Sequence, residues 1–289
     1  MALDFTPYFE KYEALVAEVD AVHDRVAAQF TDEVRCGKGC SDCCYALFDL
    51  TLVEALYLNA RFGELFSGQD KDRVMVRADE ADRQVHRIKR DAFRATQEGV
   101  PASEIIKRMA QTRLRCPLLG EDDLCALYDM RPVTCRLYGI PTAIGGEGHT
   151  CRLSGFKGGQ AYPTVNIDAI HDRLLALSRE LADDLDSEYE GLEAMLVPVS
   201  MALLNTYDEQ YLGVRGAKEK ERREKVQGLV EEARRRAGAP DCGSCGEDPS
   251  GCSGCPSSGG KAGCGGSGTT SIVLGGPDAD EDPDADAAN

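Results

Sequence analysis

The sequence lacks tryptophan and has few runs of β-branched residues. It also lacks any stretch of about 18 uncharged apolar residues, the length that a membrane-spanning helix requires. The N-terminal segment is charged, and it has neither the apolar stretch nor the small-residue cleavage site of an export signal. These absences argue against sheet-rich, membrane-bound and exported proteins. They lead us to expect a cytoplasmic, mostly α-helical protein.

Positive charge is also in short supply. The chain has 33 lysines and arginines against 50 aspartates and glutamates, which gives a formal net charge of -17. Nine acidic residues and only one basic residue fall in 240–289, so this segment carries much of the excess. Because an acidic surface repels phosphate backbones, we do not expect a nucleic acid partner.

Cysteine, in contrast, is abundant, with 13 residues in the chain. An odd number cannot pair completely into disulfides within one chain, and thiols stay reduced in the cytosol. A dense group of cysteines in that compartment is more typical of a metal site than of a disulfide framework. The composition therefore favours metal binding, as zinc thiolates or as an iron–sulfur cluster.

Apolar periodicity predicts a mostly α-helical domain over residues 1–239, with an irregular, cysteine-rich metal-binding lobe at about 36–151. Thr6 is the expected N-cap of the first helix, and Thr51 with Glu54 forms the capping box of the second. The predicted helices span 6–34, 51–66, 70–98, 103–114, 167–190 and 199–236. Residues 240–289 are rich in Gly, Ser, Pro and Asp, and their composition predicts a disordered tail.

The first cysteine group has the sequence CGKGCSDCC and contains Cys36, Cys40, Cys43 and Cys44. Thiolates three or four residues apart can converge on one metal ion when the backbone between them turns. Gly37 and Gly39 supply the freedom for that turn, and Lys38 could lower the pKa of nearby thiols. Because adjacent side chains point in different directions, we expect one of the two neighbouring cysteines to face the second group.

The second group is more widely spaced and contains Cys116, Cys125, Cys135 and Cys151. Pro132 can begin a short helix that carries Cys135. Arg131 and Arg136 could pair with thiolate or carboxylate charge, or could form surface salt bridges. His149 could replace one cysteine as a ligand.

The two groups together provide eight thiols. These could form two tetrathiolate sites, one four-iron cluster with a zinc ion, or one site with spare thiols. We predict that the two groups lie together in one compact lobe.

The runs CGKGCSDCCY, CPLL and CALYDMRPVTCRLY together resemble the zinc- or iron-chelating cysteine-cluster family of the YkgJ type. The resemblance covers about residues 36–151. It implies chelation of zinc or iron through the eight cysteines and no settled reaction. The expected function is therefore metal sensing, storage, delivery or structure, with a metal ion and a protein as partners.

Two enzymatic alternatives use similar cysteine patterns. The lysine N-methylase that modifies bacterial flagellin has a similar pattern, although this chain lacks a glycine-rich strand–helix signature for a methyl donor. The spacing of Cys36, Cys40 and Cys43 also matches the four-iron motif of radical S-adenosylmethionine enzymes, which a strand-rich fold would favour.

The tail holds five further cysteines, namely Cys242, Cys245, Cys252, Cys255 and Cys264. Two CxxC pairs of this kind indicate a metal-binding or metal-passing tail, and the alternative is a dispensable linker.

We predict that truncation after Ala239 leaves the main domain intact. The tail has too little apolar surface to offset its chain entropy, so its removal should change neither the thermal midpoint nor the metal content of the cysteine lobe. Differential scanning calorimetry and elemental analysis of the two chains would check this. A large fall in either quantity would show that the tail cysteines belong to the central site.

Overall fold

The computed structural model describes residues 3–216, 225–226 and 228–232 of the 289-residue chain. The chain divides into two compact units, Met1–Gln227 and Gly228–Asn289. In the second unit, residues 228–232 are helical. The predicted tail 240–289, with its five cysteines, lies outside the described residues.

Helices dominate the described part of the first unit, which confirms the mostly α fold class. The α-helices are α1 (Thr6–Gln29), α2 (Leu52–Leu65), α3 (Gly68–Gln97), α4 (Ala102–Gln111), α5 (Val133–Leu137), α6 (Ile167–Leu185) and α7 (Val199–Leu204). Short 3₁₀ helices span Asp42–Tyr45, Tyr128–Met130 and Leu192–Ala194. Within the described ranges, none of the helices has the length and apolar character needed to cross a membrane.

Helix α2 forms the centre of the core. Its residues from Leu52 to Leu58 are all buried, so this half of the helix has no solvent-facing side. Helices α1, α6 and α7 pack around α2, and α3 packs against α7. A helix that is apolar all round must be enclosed by others, which explains why α2 lies inside this arrangement.

The strands are short and form two small sheets. Strands β1 (Asp49–Thr51) and β5 (Leu196–Pro198) pair antiparallel, with Leu50 opposite Val197. Strands β2 (Thr142–Ile144), β3 (Glu147–His149) and β4 (Val165–Asn166) form the second sheet in the order β3-β2-β4. Gly145 and Gly146 connect β2 to β3 with positive φ angles of 58° and 81°, as a tight hairpin turn requires. The sequence predicted only irregular structure here.

Four predicted helix ends were wrong. Helix α1 ends at Gln29 rather than at 34, and α6 ends at Leu185 rather than at 190. Thr6 is not the N-cap of α1, because its amide donates to the carboxylate of Asp4 and Phe5 occupies the cap position. The helix predicted for 199–236 is interrupted, because α7 ends at Leu204, and among the described residues helix resumes at 225–226 and 228–232. The side-chain amide of Asn59 donates to the carbonyl oxygens of Ala202 and Asn205, at 2.8 and 3.0 Å, which satisfies the end of α7 from outside the helix.

The predicted capping box of α2 is present and extends further than expected. The backbone amide and hydroxyl of Thr51 both donate to Glu54 Oε2, at 3.2 and 3.1 Å. The other carboxylate oxygen, Oε1, accepts the amide of Val133 at 3.1 Å. Burial raises the pKa of Glu54, although these hydrogen bonds favour its charged form. Glu54 therefore joins the first turn of α2 to the first turn of α5.

We expect Glu54→Ala to lower the free energy of unfolding by at least about 2 kcal/mol, because two buried amides lose their acceptor. Urea denaturation of the two proteins would measure this. Glu98→Ala, at the exposed C-terminal end of α3, serves as the control and should change stability by less than about 0.5 kcal/mol. Equal losses in the two variants would contradict the linking role of Glu54.

The raised pKa of Glu54 gives a pH dependence of defined sign. A group whose pKa is raised by folding contributes stability that is complete below its unfolded pKa and is lost as the pH rises through its folded pKa. The free energy of unfolding of the wild type, minus that of Glu54→Gln, should therefore fall as the pH rises from about 4 to about 7. Denaturant titrations at a series of pH values would show this, and a difference that rises with pH would disprove it.

Candidate metal centre

A short antiparallel pairing brings the first cysteine group beside Cys116. The amide of Cys116 donates to the carbonyl oxygen of Cys44 at 2.7 Å, and the amide of Leu114 donates to Tyr45 at 3.0 Å. Ala46 pairs with Arg113 in the same ladder. These backbone bonds place the second group alongside the first, although about 70 residues separate them in sequence.

A tight hairpin then brings Cys125 back towards Cys116. The amide of Gly120 donates to Leu124, and that of Ala126 donates to Leu118, both at 2.8 Å. Leu118 and Leu119 are buried beneath this turn. Two thiols that lie nine residues apart in the chain consequently reach the same cavity.

Cys36 is held by a close approach of the backbone at Gly139. A Cβ atom at this position would lie 2.4 Å from Cys36 Cβ, and Gly139 also has a φ angle of +107°. Only glycine satisfies both requirements. In the turn between Cys36 and Cys40, Gly39 has a φ angle of +94°, and the amide of Cys40 donates to the carbonyl oxygen of Gly37. The positive φ angle agrees with the predicted role of Gly39 in this turn.

Helix α5 carries Cys135 and begins after Pro132, as predicted. The guanidinium of Arg131 lies 3.7 Å from the ring centre of Tyr128 and lines the cysteine cavity. Arg136 instead forms an ion pair with Asp20, at 2.6 Å, and its side chain is only 8% exposed. The first arginine therefore faces the thiols, whereas the second attaches α5 to α1.

Seven of the eight predicted cysteines line one cavity of about 60 Å3. They are Cys36, Cys40, Cys43, Cys44, Cys116, Cys125 and Cys135. Cys151 lines a smaller adjoining cavity together with Cys36, Cys40 and Cys43. The predicted convergence of the two groups in one lobe is confirmed. His149 is exposed on β3 and lines neither cavity.

Cys43 lies at the centre of the sulfur contacts. Hydrogen bonds from the thiols of Cys135 and Cys44 lower its pKa, and the nearby charge of Arg131 acts in the same direction. The same hydrogen bonds raise the pKa values of Cys135 and Cys44, because these thiols act as donors. Both neighbouring cysteines thus face the second group, where we expected only one.

Burial is the main influence on the pKa values of three further thiols of the cavity. It raises the pKa of Cys36 to about 11 and that of Cys116 to about 12, and it also raises the pKa of Cys125. The positive charge beside the thiols comes from Arg131, because Lys38 is exposed. These thiols are protonated at neutral pH, so any metal ion must displace their protons.

A buried carboxylate, Asp42, connects Cys151 to the first group. Its Oδ1 lies 2.7 Å from Arg113 Nη2 and 2.8 Å from Arg152 Nη2, and the Cys151 thiol donates to Oδ2 at 3.7 Å. Burial opposes the charge on Asp42, but Arg152 and Arg113 outweigh it and hold the pKa of this carboxyl below its usual value. The segment that carries Cys151 is therefore attached to the first group electrostatically.

Four residues of the site were not predicted from the sequence, namely Asp42, Arg113, Arg152 and Gly139. Asp42 lies inside the CSDCC run, and the two arginines stand close to cysteines in the chain. Their closeness to the cysteines in sequence could have identified these three residues as part of the site. No local pattern, in contrast, indicates that Gly139 packs against Cys36, since about 100 residues separate them.

The sulfur atoms are gathered but do not form a ready-made ligand set. Across residues 3–216, 225–226 and 228–232, no three His, Cys, Asp or Glu side chains are arranged so that they could hold a metal ion. The thiols of Cys43, Cys44 and Cys135 instead lie close enough to shift one another's pKa values. The donor chemistry nevertheless fits, because a buried set of sulfur ligands suits zinc and iron–sulfur clusters.

The comparisons with known proteins agree with this donor chemistry. Residues 35–152 match the model of the CxxCxxCC family, whose description is "Putative zinc- or iron-chelating domain". Neither the curated proteins nor the solved structures include a match to the chain. The matched range begins one residue before Cys36 and ends one residue after Cys151. The match to the CxxCxxCC family model therefore covers the segment that holds all eight lobe cysteines.

Proposed function

We propose that the protein binds zinc or iron through the eight lobe cysteines, and that the metal serves storage, delivery, sensing or structure. The observation that carries the proposal is the cavity lined by seven thiols from four separate segments of the chain. Thiols are rarely gathered in this number without a metal ion, because their thiolate forms repel one another. A zinc thiolate site and a four-iron cluster are both compatible with these donors.

Metal binding would replace the contacts among the cavity thiols by sulfur–metal bonds. The thiols of Cys44 and Cys135, whose pKa values are raised, would lose their protons to solvent. Arg131 would offset part of the resulting negative charge from the cavity wall. The amide of Leu153, 3.4 Å from the Cys151 sulfur, would stabilise a thiolate at that position.

The size of the cavity favours binding over catalysis. Its volume of about 60 Å3 corresponds to roughly two water molecules, and apolar side chains such as Leu118, Leu127 and Val85 contribute to its walls. A catalytic ion keeps a position open to substrate, and so small a cavity leaves little room for one beside several sulfur ligands. The match to the family model supports metal chelation, and the alternative of an enzyme that modifies protein side chains stays a hypothesis.

The proposed compartment is the cytosol. The eight lobe cysteines are unpaired thiols in the structure, and metal binding needs them reduced. A metal ion is the expected partner, and a partner protein that exchanges the ion is part of the same proposal.

We expect Cys40→Ser to lose most of the bound metal, because a serine hydroxyl is a poor ligand for zinc or iron beside thiolates. Anaerobic purification, elemental analysis and a visible spectrum of both proteins would measure the loss and identify the ion. Cys264→Ser removes a thiol outside the matched segment and should retain the metal. Equal metal content in wild type and Cys40→Ser would overturn the proposed site.

Hydrogen exchange separates a structural metal from a carried one. In Cys40→Ser, and in the wild type treated with a chelator, amides of 36–45 and 116–151 should exchange faster while those of α1 and α2 keep their protection. Metal coordination adds roughly 10–16 kcal/mol to the folding of small zinc peptides, and its loss should loosen the lobe. Unchanged protection over 116–151 would show that the fold is self-sufficient and that the ion is carried or catalytic.

A further inference from the structure

An open groove of about 810 Å3 lies beside the metal lobe, outside the cysteine cavity. Residues from the end of α4, from α5 and from the β2–β3 hairpin line it, and Arg113 and Arg152 form part of its wall. We call it the Arg152 groove. Its volume lies in the range of small-molecule sites, which are usually about 300–1,000 Å3.

The charge of this groove is opposite to that of the chain. Asp42 is the one acidic residue among those that line it, and Arg113 and Arg152 both pair with it, which leaves an excess of one positive charge. The whole chain, by comparison, has a formal net charge of -17. The arginines attract anions to this groove, whereas the acidic surface of the rest of the protein repels them.

Arg152 is suitably placed to bind a second anion. Its Nε and Nη2 atoms donate to Asp42 Oδ1 at 3.1 and 2.8 Å, so one edge of the guanidinium is fixed by a buried carboxylate. The side chain remains 70% exposed, and the Nη1 hydrogens stay available to a ligand. An arginine held in this way loses little further freedom when an anion binds.

The groove also offers apolar and hydroxyl groups. Leu137 and Ile140 are buried below it, Phe48 lies at its side, and Thr134 and Thr142 are among its lining residues. A ligand with a charged end and an apolar body would match this combination.

We propose that the Arg152 groove binds a small organic anion, with its carboxylate or phosphate group on Arg152 and Arg113 and its apolar body on Phe48 and the exposed Ile144. The observations that support it are the volume, the excess of positive charge and the fixed, exposed guanidinium. The proposal does not depend on which metal the lobe binds, so it is tested on the full-length protein as purified, with its metal content measured beforehand.

Three probes with the same six-carbon body separate the contribution of the charged group to binding from that of the apolar body. Hexanoate, hexyl phosphate and hexanol would be titrated into the isotopically labelled full chain and followed by amide NMR shifts. We expect saturable shifts within 137–152 for at least one anion, and the comparison of the two anions identifies the preferred group. Hexanol should bind at least about ten-fold more weakly, because it lacks a charge-assisted hydrogen bond.

Arg152→Gln should weaken binding of the preferred anion by about ten-fold or more. Arg179→Gln is the matched control, because it removes the same charge from an exposed position on α6, about 18 Å along that helix from the groove residue Ile167. Equal weakening by both variants would reduce the effect to net charge and overturn the proposal. So would the absence of saturable shifts with either anion, or shifts centred outside 137–152.

Discussion

The buried carboxylate of Glu54 is the interaction on which the relation between helical body and metal lobe depends. It accepts the amide of Thr51 at the start of α2 and the amide of Val133 at the start of α5. Helix α2 is the centre of the core and α5 carries Cys135, so Glu54, together with the ion pair of Arg136 and Asp20, fixes that sulfur relative to the rest of the fold. Burying a carboxylate is costly, and an apolar residue would leave two helix amides without acceptors. The raised pKa of Glu54 is the sign of that cost.

Local patterns predicted the elements well and their attachments poorly. The capping box of α2, the short helix after Pro132 and the eight lobe cysteines follow from residues close together in sequence. The end of α7 could not be predicted, because the amide that satisfies it belongs to Asn59, more than 140 residues away. The contact of Gly139 with Cys36 is equally remote. The features that could not be predicted are therefore long-range hydrogen bonds and packing contacts, because the periodicity of a sequence does not encode them.

Charge in the lobe is arranged so that carboxylates do not add to the charge of the thiols. Asp42 lies between Cys40 and Cys43 in sequence, where an unpaired carboxylate would repel thiolates. Arg113 and Arg152 neutralise it, and Arg131 contributes a positive charge at the cavity itself. A metal ion with several thiolates carries net negative charge, so these arginines favour the loaded form. The same neutralisation leaves the positive excess in the Arg152 groove, which makes the groove a consequence of how the metal lobe is balanced.

The metal lobe differs from a small zinc peptide because it contributes several buried apolar side chains to the hydrophobic core. Leu118, Leu127 and Leu137 belong to the main hydrophobic core, while Leu119 packs with Cys43 and Cys44 in a smaller cluster. The segment 116–151 therefore has some stability of its own, shared with the helices that it covers. The turn from Cys36 to Cys40 has no such support, since it consists of two thiols with two glycines and an exposed lysine between them. Metal coordination would contribute most at this turn, because sulfur–metal bonds would there replace the side-chain packing that the turn lacks.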